Sequence, residues 1–107
     1  MSKVVNLRKE RRYDVRIDRA TRWGNPYTHR ADVARKRKDV TLVSGGPKEA
    51  VEAYRNYLWN EIKAGRVTLE DLANLHGKTL ACWCAPGPCH GDVLVRAAAW
   101  AHEQLQA

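Results

Sequence analysis

All three cysteines of this 107-residue chain fall within eight residues, in the run Cys82-Trp83-Cys84-Ala85-Pro86-Gly87-Pro88-Cys89-His90-Gly91-Asp92. Chance seldom gathers every cysteine of a chain beside a histidine, and two chemistries suit the set. Zinc takes four soft or borderline donors in a tetrahedron, with Zn–S near ~2.3 Å, and three cysteines with one histidine are a known structural set. Cys82, Cys84, Cys89 and His90 would supply it. Cys82 and Cys84 on a regular strand point the same way, but their Cβ atoms stand about 6–7 Å apart. Adjacent Cys89 and His90 would also have to fold onto one ion, and the spacing is not a pair of C-x2-C knuckles. His29, His76 or water are alternative fourth donors, and an open position would make the site catalytic. In the second chemistry Cys89 is a reactive thiolate, because a helix N-terminus lowers a thiol pKa. His90 then serves as base or proton donor and Asp92 orients it. Inert burial is a third reading. It suits Cys82 taken singly, but poorly suits the Pro/Gly loop from Cys84 to His90.

A second constellation is Arg22-Trp23-Gly24-Asn25-Pro26. Trp23 could stack on a base, Asn25 could bond a base edge and Arg22 could hold a phosphate. The competing reading has Trp23 plugging the core and Asn25 closing a turn on its own backbone. Arg35-Lys36-Arg37-Lys38 is a run of four cations, a candidate nucleic-acid contact or a solvated face. Trp59, Trp83 and Trp100 read as packing residues.

These residues need elements to position them. Val4–Leu7 is a short β-branched run and Tyr13–Asp18 alternates apolar with charged residues, so both read as strands. The basic stretch between them reads as a connecting turn, and residues 21–27 as loop. A short basic helix is expected over 30–38 and a strand over 40–43. The clearest helix runs from about Pro47 to Ala64, with Pro at its first position and Val51, Tyr54, Leu58 and Ile62 on one face. Thr68 and Asp71 have capping-box spacing for a short helix to about Leu75. Thr79–Trp83 is apolar enough to be a central strand, and a last helix follows from about Cys89 to Gln104. This order predicts an α/β or α+β fold, a small three- to four-stranded sheet with helices packed on it. The cysteine cluster sits at a strand-to-helix junction, the Rossmann-like place where open α/β sheets bind ligands.

Composition bounds the rest. The length is that of one domain, expected to span 1–107. A 44% hydrophobic and 29% charged composition is that of a folded globule and not a disordered chain. No apolar run approaches a membrane span, and Met1–Asn6 lacks the apolar core of a signal peptide. With an odd cysteine count, the expected compartment is reducing cytoplasm. The net charge of +7 is uneven. Residues 1–38 hold 13 Lys/Arg against 4 Asp/Glu, while residues 39–107 hold 6 against 8. A basic third of this kind points to an anionic partner, nucleotide or nucleic acid first.

Trp23-Gly24-Asn25-Pro26-Tyr27 and the block from Leu80 to Leu94, with its Cys-Trp-Cys and Cys-His-Gly-Asp-Val segments, resemble a small family from phages and bacteria called domain of unknown function 4326. The resemblance runs from about Val4 to Ala99 and carries Trp23, Gly24, Asn25, Pro26, Cys82, Cys84, Cys89, His90, Gly91 and Asp92. It implies a small cytoplasmic α/β domain, in the host cytoplasm if phage-encoded, with members similar in context to enzymes that modify nucleobases. It brings no mechanism. The stretch at about 28–46 departs from the family pattern and reads as a basic insertion. The expected function is a small metal- or thiol-dependent enzyme acting on a nucleobase, nucleotide or nucleic acid. The alternative is a non-enzymatic, zinc-stabilised module binding nucleic acid or a host protein.

Overall fold

The segment Thr79–Cys82 (β5) is apolar and fully enclosed from Leu80 onward, as a strand with neighbours on both edges and helices on its face must be. The computed structural model, which describes residues 2–83 and 87–107, places β5 at the centre of a parallel three-stranded sheet. Lys3–Asn6 (β1) pairs along one edge, with Asn6 opposite Cys82. Val15–Arg16 (β2) pairs along the other, with Arg16 opposite Ala81. The link from β1 to β2 is therefore no hairpin. It carries the chain past β5 to start β2 at the same end as β1, so all three strands end at one edge.

A second, two-stranded parallel sheet joins Tyr27–Thr28 (β3) to Thr41–Leu42 (β4). Sequence periodicity reads residue 27 as loop, because a two-residue strand shows no repeat. The basic stretch between β3 and β4 holds the short helix Ala31–Lys36 (α1). Helix Pro47–Lys63 (α2) starts on proline, and the Glu49 carboxylate accepts from the Gly46 N–H at 2.8 Å. It buries Ala50, Tyr54 and Leu58. Helix Leu69–Ala73 (α3) is capped reciprocally: Thr68 Oγ1 accepts from the Asp71 N–H, and the Asp71 carboxylate accepts from the Thr68 N–H. Helix His90–Gln106 (α4) buries Leu94, Ala98 and Ala101. The fold class is thus α/β, a small parallel sheet with helices packed on it. Ile17, Leu72, Leu80 and Leu94 are among the fully buried members of its core. Among the described residues no helix is long and apolar enough to cross a membrane.

The first turn of α4 reaches the sheet because residue 91 is glycine. A Cβ there would stand 2.9 Å from both Ile17 Cδ1 and Val4 Cγ2, inside van der Waals contact. Gly91 thereby sets His90 beside the strand ends.

Candidate functional site

A cavity of about 660 Å³ opens where β2 and β5 end and α4 begins. That volume suits a small ligand, and the place is where parallel sheets bind one. Cys82 and His90 line it from the sheet side, Asn25, Tyr27 and His29 from the β3 region, and Arg37 from the end of α1. Trp83, the first residue beyond β5, and Arg19, three residues beyond β2, line it as well.

At its floor, Cys82 Sγ lies 2.8 Å from Cys89 Sγ. Cys89 sits behind, buried and disulfide-bonded, as the N-cap of α4, and its sulphur accepts from the Gly91 N–H at 3.3 Å. Among the described residues the thiol is thus that of Cys82. His90 Nε2 is 2.6 Å from the Ile17 carbonyl. A carbonyl only accepts, so Nε2 carries the proton and Nδ1 holds the lone pair. That Nδ1 faces Cys89 Sγ at 3.9 Å. Burial lowers the His90 pKa, against the carbonyl bond that raises it, so the ring is neutral at pH 7. The buried Tyr54 ring packs edge-on to it at 5.0 Å, and burial pushes the Tyr54 phenol well up, which keeps it neutral.

A tetrahedral zinc with bonds of ~2.3 Å separates its sulphurs by about 3.8 Å, so a metal would spread the Cys82–Cys89 pair by roughly 1 Å. Among the described residues no group of three or more His, Cys, Asp or Glu is arranged around a metal position. Cys84, a member of the expected ligand set, lies outside the described residues. Of the alternative fourth donors, His29 lines the cavity, whereas His76 stacks on His102 at 4.3 Å and lies outside the lining. Asp92 is on the exposed side of the first turn of α4 and faces a groove between α2 and α4, apart from this cavity.

The segment around Asn25 builds the wall. Asn25 Oδ1 accepts from the Tyr27 N–H at 2.9 Å, and Nδ2 donates to the Ala50 carbonyl at 3.0 Å. Trp23 is buried in the core, its carbonyl accepting from Tyr54 Oη at 2.9 Å. Arg22 lies over the Trp23 ring and donates to the Arg66 carbonyl, so neither side chain lines the cavity. Gly24 passes so near the β2 end that a Cβ would meet Arg19 Cα at 2.5 Å. Backbone cannot yield there, so only glycine fits.

Arg35, Lys36 and Lys38 are exposed beside the cavity-lining Arg37, which forks onto Asp39. Arg19 and Trp83 are the functional candidates that motif reading missed. The available signal was position: each is among the first residues past a strand of a parallel sheet, at the edge where ligands sit. Trp83, expected to pack, is 54% exposed, while Trp59 and Trp100 are exposed on the α2–α4 groove.

Comparison with known proteins adds kinship. The model of a family described as a domain of unknown function (DUF4326) matches residues 5–100. An uncharacterized 12.4 kDa protein in the nrdA-td intergenic region of Enterobacteria phage T4 is 34% identical over 94 residues, covering 88% of this chain and 74% of that protein. No solved structure matches the chain.

Proposed function

Because the chain belongs to the DUF4326 family and carries a Cys/His centre in a ligand-sized cavity, we propose that it is a small enzyme acting on a nucleotide or its base in the cytoplasm of a phage host. The observation that carries this reading is the convergence of Cys82, Cys89 and His90 at the floor of a cavity at the carboxyl end of β5. Among the described residues Cys82 carries the thiol, whereas Cys89 is disulfide-bonded. Once that bond is reduced, the α4 N-terminus and the Gly91 N–H favour negative charge on the Cys89 sulphur. A neutral His90 presents the Nδ1 lone pair toward Cys89, where it accepts the proton of the reduced thiol. Cys82 faces the cavity, with Cys89 behind it. The same donors, completed by Cys84, suit zinc, which would supply a Lewis acid or a bound nucleophilic water.

The test is a mass-spectrometric search for products from a panel of nucleotides, nucleosides and free bases, using protein purified without chelator. One panel member is expected to change mass. Cys82→Ser and Cys89→Ser are expected to abolish that change while retaining the far-UV circular dichroism of the parent. Full turnover by both variants, or no turnover of any member by the parent, overturns the enzyme reading. Elemental analysis with thiol titration on the same preparation separates the chemistries: one zinc per chain without reactive thiols means a metal site, and no zinc with a reactive thiol means sulphur chemistry.

A second reading, a non-enzymatic module binding nucleic acid or a host protein, is favoured by Arg35, Lys36 and Lys38. All three are exposed, and none has a carboxylate within ion-pair distance among the described residues.

A further inference from the structure

We propose that the cavity seats a nucleoside monophosphate, with its phosphate on Arg19 and its base against the Trp83 indole; this deepens the nucleotide reading above and rests on it.

Arg19 is only half exposed at the end of β2. Its Nε donates to the Asn25 carbonyl at 2.9 Å and an Nη to the Tyr27 carbonyl at 3.0 Å. These two bonds fix the guanidinium plane and leave three of its five N–H groups for a ligand. No carboxylate lies within ion-pair distance of it among the described residues, whereas its neighbours in the same wall, Arg30 and Arg37, fork onto Asp32 and Asp39. Asp18, the acid next to it, is bound by Arg16 and by the Trp83 indole N–H. Asp39 acts on Arg19 only from beyond ion-pair distance while it is itself forked by Arg37, and a partly desolvated cation without a direct ion pair favours an incoming anion. Burial first, and then the nearby Arg37 charge, lower the Arg19 pKa, against the Asp39 carboxylate, which raises it. The Arg fork matches phosphate oxygens in pairs.

Trp83 supplies the other half. Its Nε1 donates to Asp18 Oδ2 at 3.1 Å, which holds the ring at the cavity rim, and Arg8 approaches it at 6.0 Å. An exposed, oriented indole is a stacking surface for any base. Arg19 and Trp83 border the same cavity, whose size admits a single nucleotide.

The test is isothermal calorimetry on the full chain with ribo- and deoxyribonucleoside 5′-monophosphates, the matching nucleosides and inorganic phosphate. At least one monophosphate is expected to bind tenfold or more tightly than its nucleoside, roughly what one charge-assisted contact supplies. Arg19→Gln is expected to erase that difference. Trp83→Leu is expected to weaken monophosphate and nucleoside alike while leaving phosphate binding unchanged. Equal affinity of the unaltered protein for a monophosphate and its nucleoside overturns the phosphate seat and leaves the base-binding cavity standing. Binding of neither class overturns the nucleotide reading and this inference with it. The comparison on the unaltered protein needs no variant, so an Arg19→Gln chain that fails to fold does not blunt the test.

Discussion

His90 does its work through one bond and one lone pair. Protonating it places a second N–H on Nδ1, toward Cys89 in a dry site. Its native pKa lies below the ordinary 6.5, chiefly through burial. The unfolded chain therefore binds the proton first as pH falls, and stability drops from about 6.5 down to the lower native value. Urea melts between pH 7.5 and 5 should show this fall, and His90→Gln should flatten it; an unchanged slope in that variant would assign the effect elsewhere. Of two readings for Trp23, ligand contact or core plug, its burial in the core fits the second, while Trp83, expected to pack, stands at the cavity rim. Side-chain type names what a residue can do, but the strand end decides which way it faces. Asn25 closes the turn that the competing reading expected, through Oδ1 to the Tyr27 N–H, and its Nδ2 is engaged by the Ala50 carbonyl.

At the scale of elements, two close approaches hold the site together. Gly91→Ala should cost about 1–3 kcal/mol by overpacking the α4–sheet contact, read as a lowered midpoint in denaturant. Any ligand affinity should fall with it, because His90 moves. Asn25→Ala removes the bond to the buried Ala50 carbonyl and should cost about 1–3 kcal/mol. It should also weaken anion binding, since the Asn25 and Tyr27 carbonyls that hold Arg19 lose their anchor. Thermal melts of both variants check the stability half, and a midpoint equal to the parent's would show that the contacts relax freely. Helices α2, α3 and α4 were legible because periodicity, Pro47 and the Thr68–Asp71 box are local signals. β4 lies within the strand expected over 40–43, but its partner β3 was not legible, because two residues carry no period. The parallel path from β1 to β2 was hidden too, since no local pattern distinguishes a turn from a crossover.

Across the whole molecule, the positive surplus of the first 38 residues is partly cancelled in place. Arg16, Arg30 and Arg37 each fork onto the aspartate two residues later. Arg35, Lys36 and Lys38 stay exposed without such partners among the described residues. If these three grip a nucleic-acid backbone, the logarithm of affinity for a single-stranded oligonucleotide should fall with the logarithm of salt with a slope of about −2. Replacing all three with glutamine should bring the slope near zero, measured by fluorescence anisotropy. A salt-independent affinity would remove the backbone-binding reading. Sequence alone determined the elements with strong local signals, the central place of β5, the α/β class and the position of Cys89 at a helix start. Each of these follows from neighbours within a few residues. Only the tertiary structure decided that Arg19, Trp83, Cys82 and His90 border one cavity while Trp23, Arg22 and Asp92 do not. That choice depends on three strands running parallel and on Gly24 and Gly91 admitting backbone contacts between residues far apart in the chain.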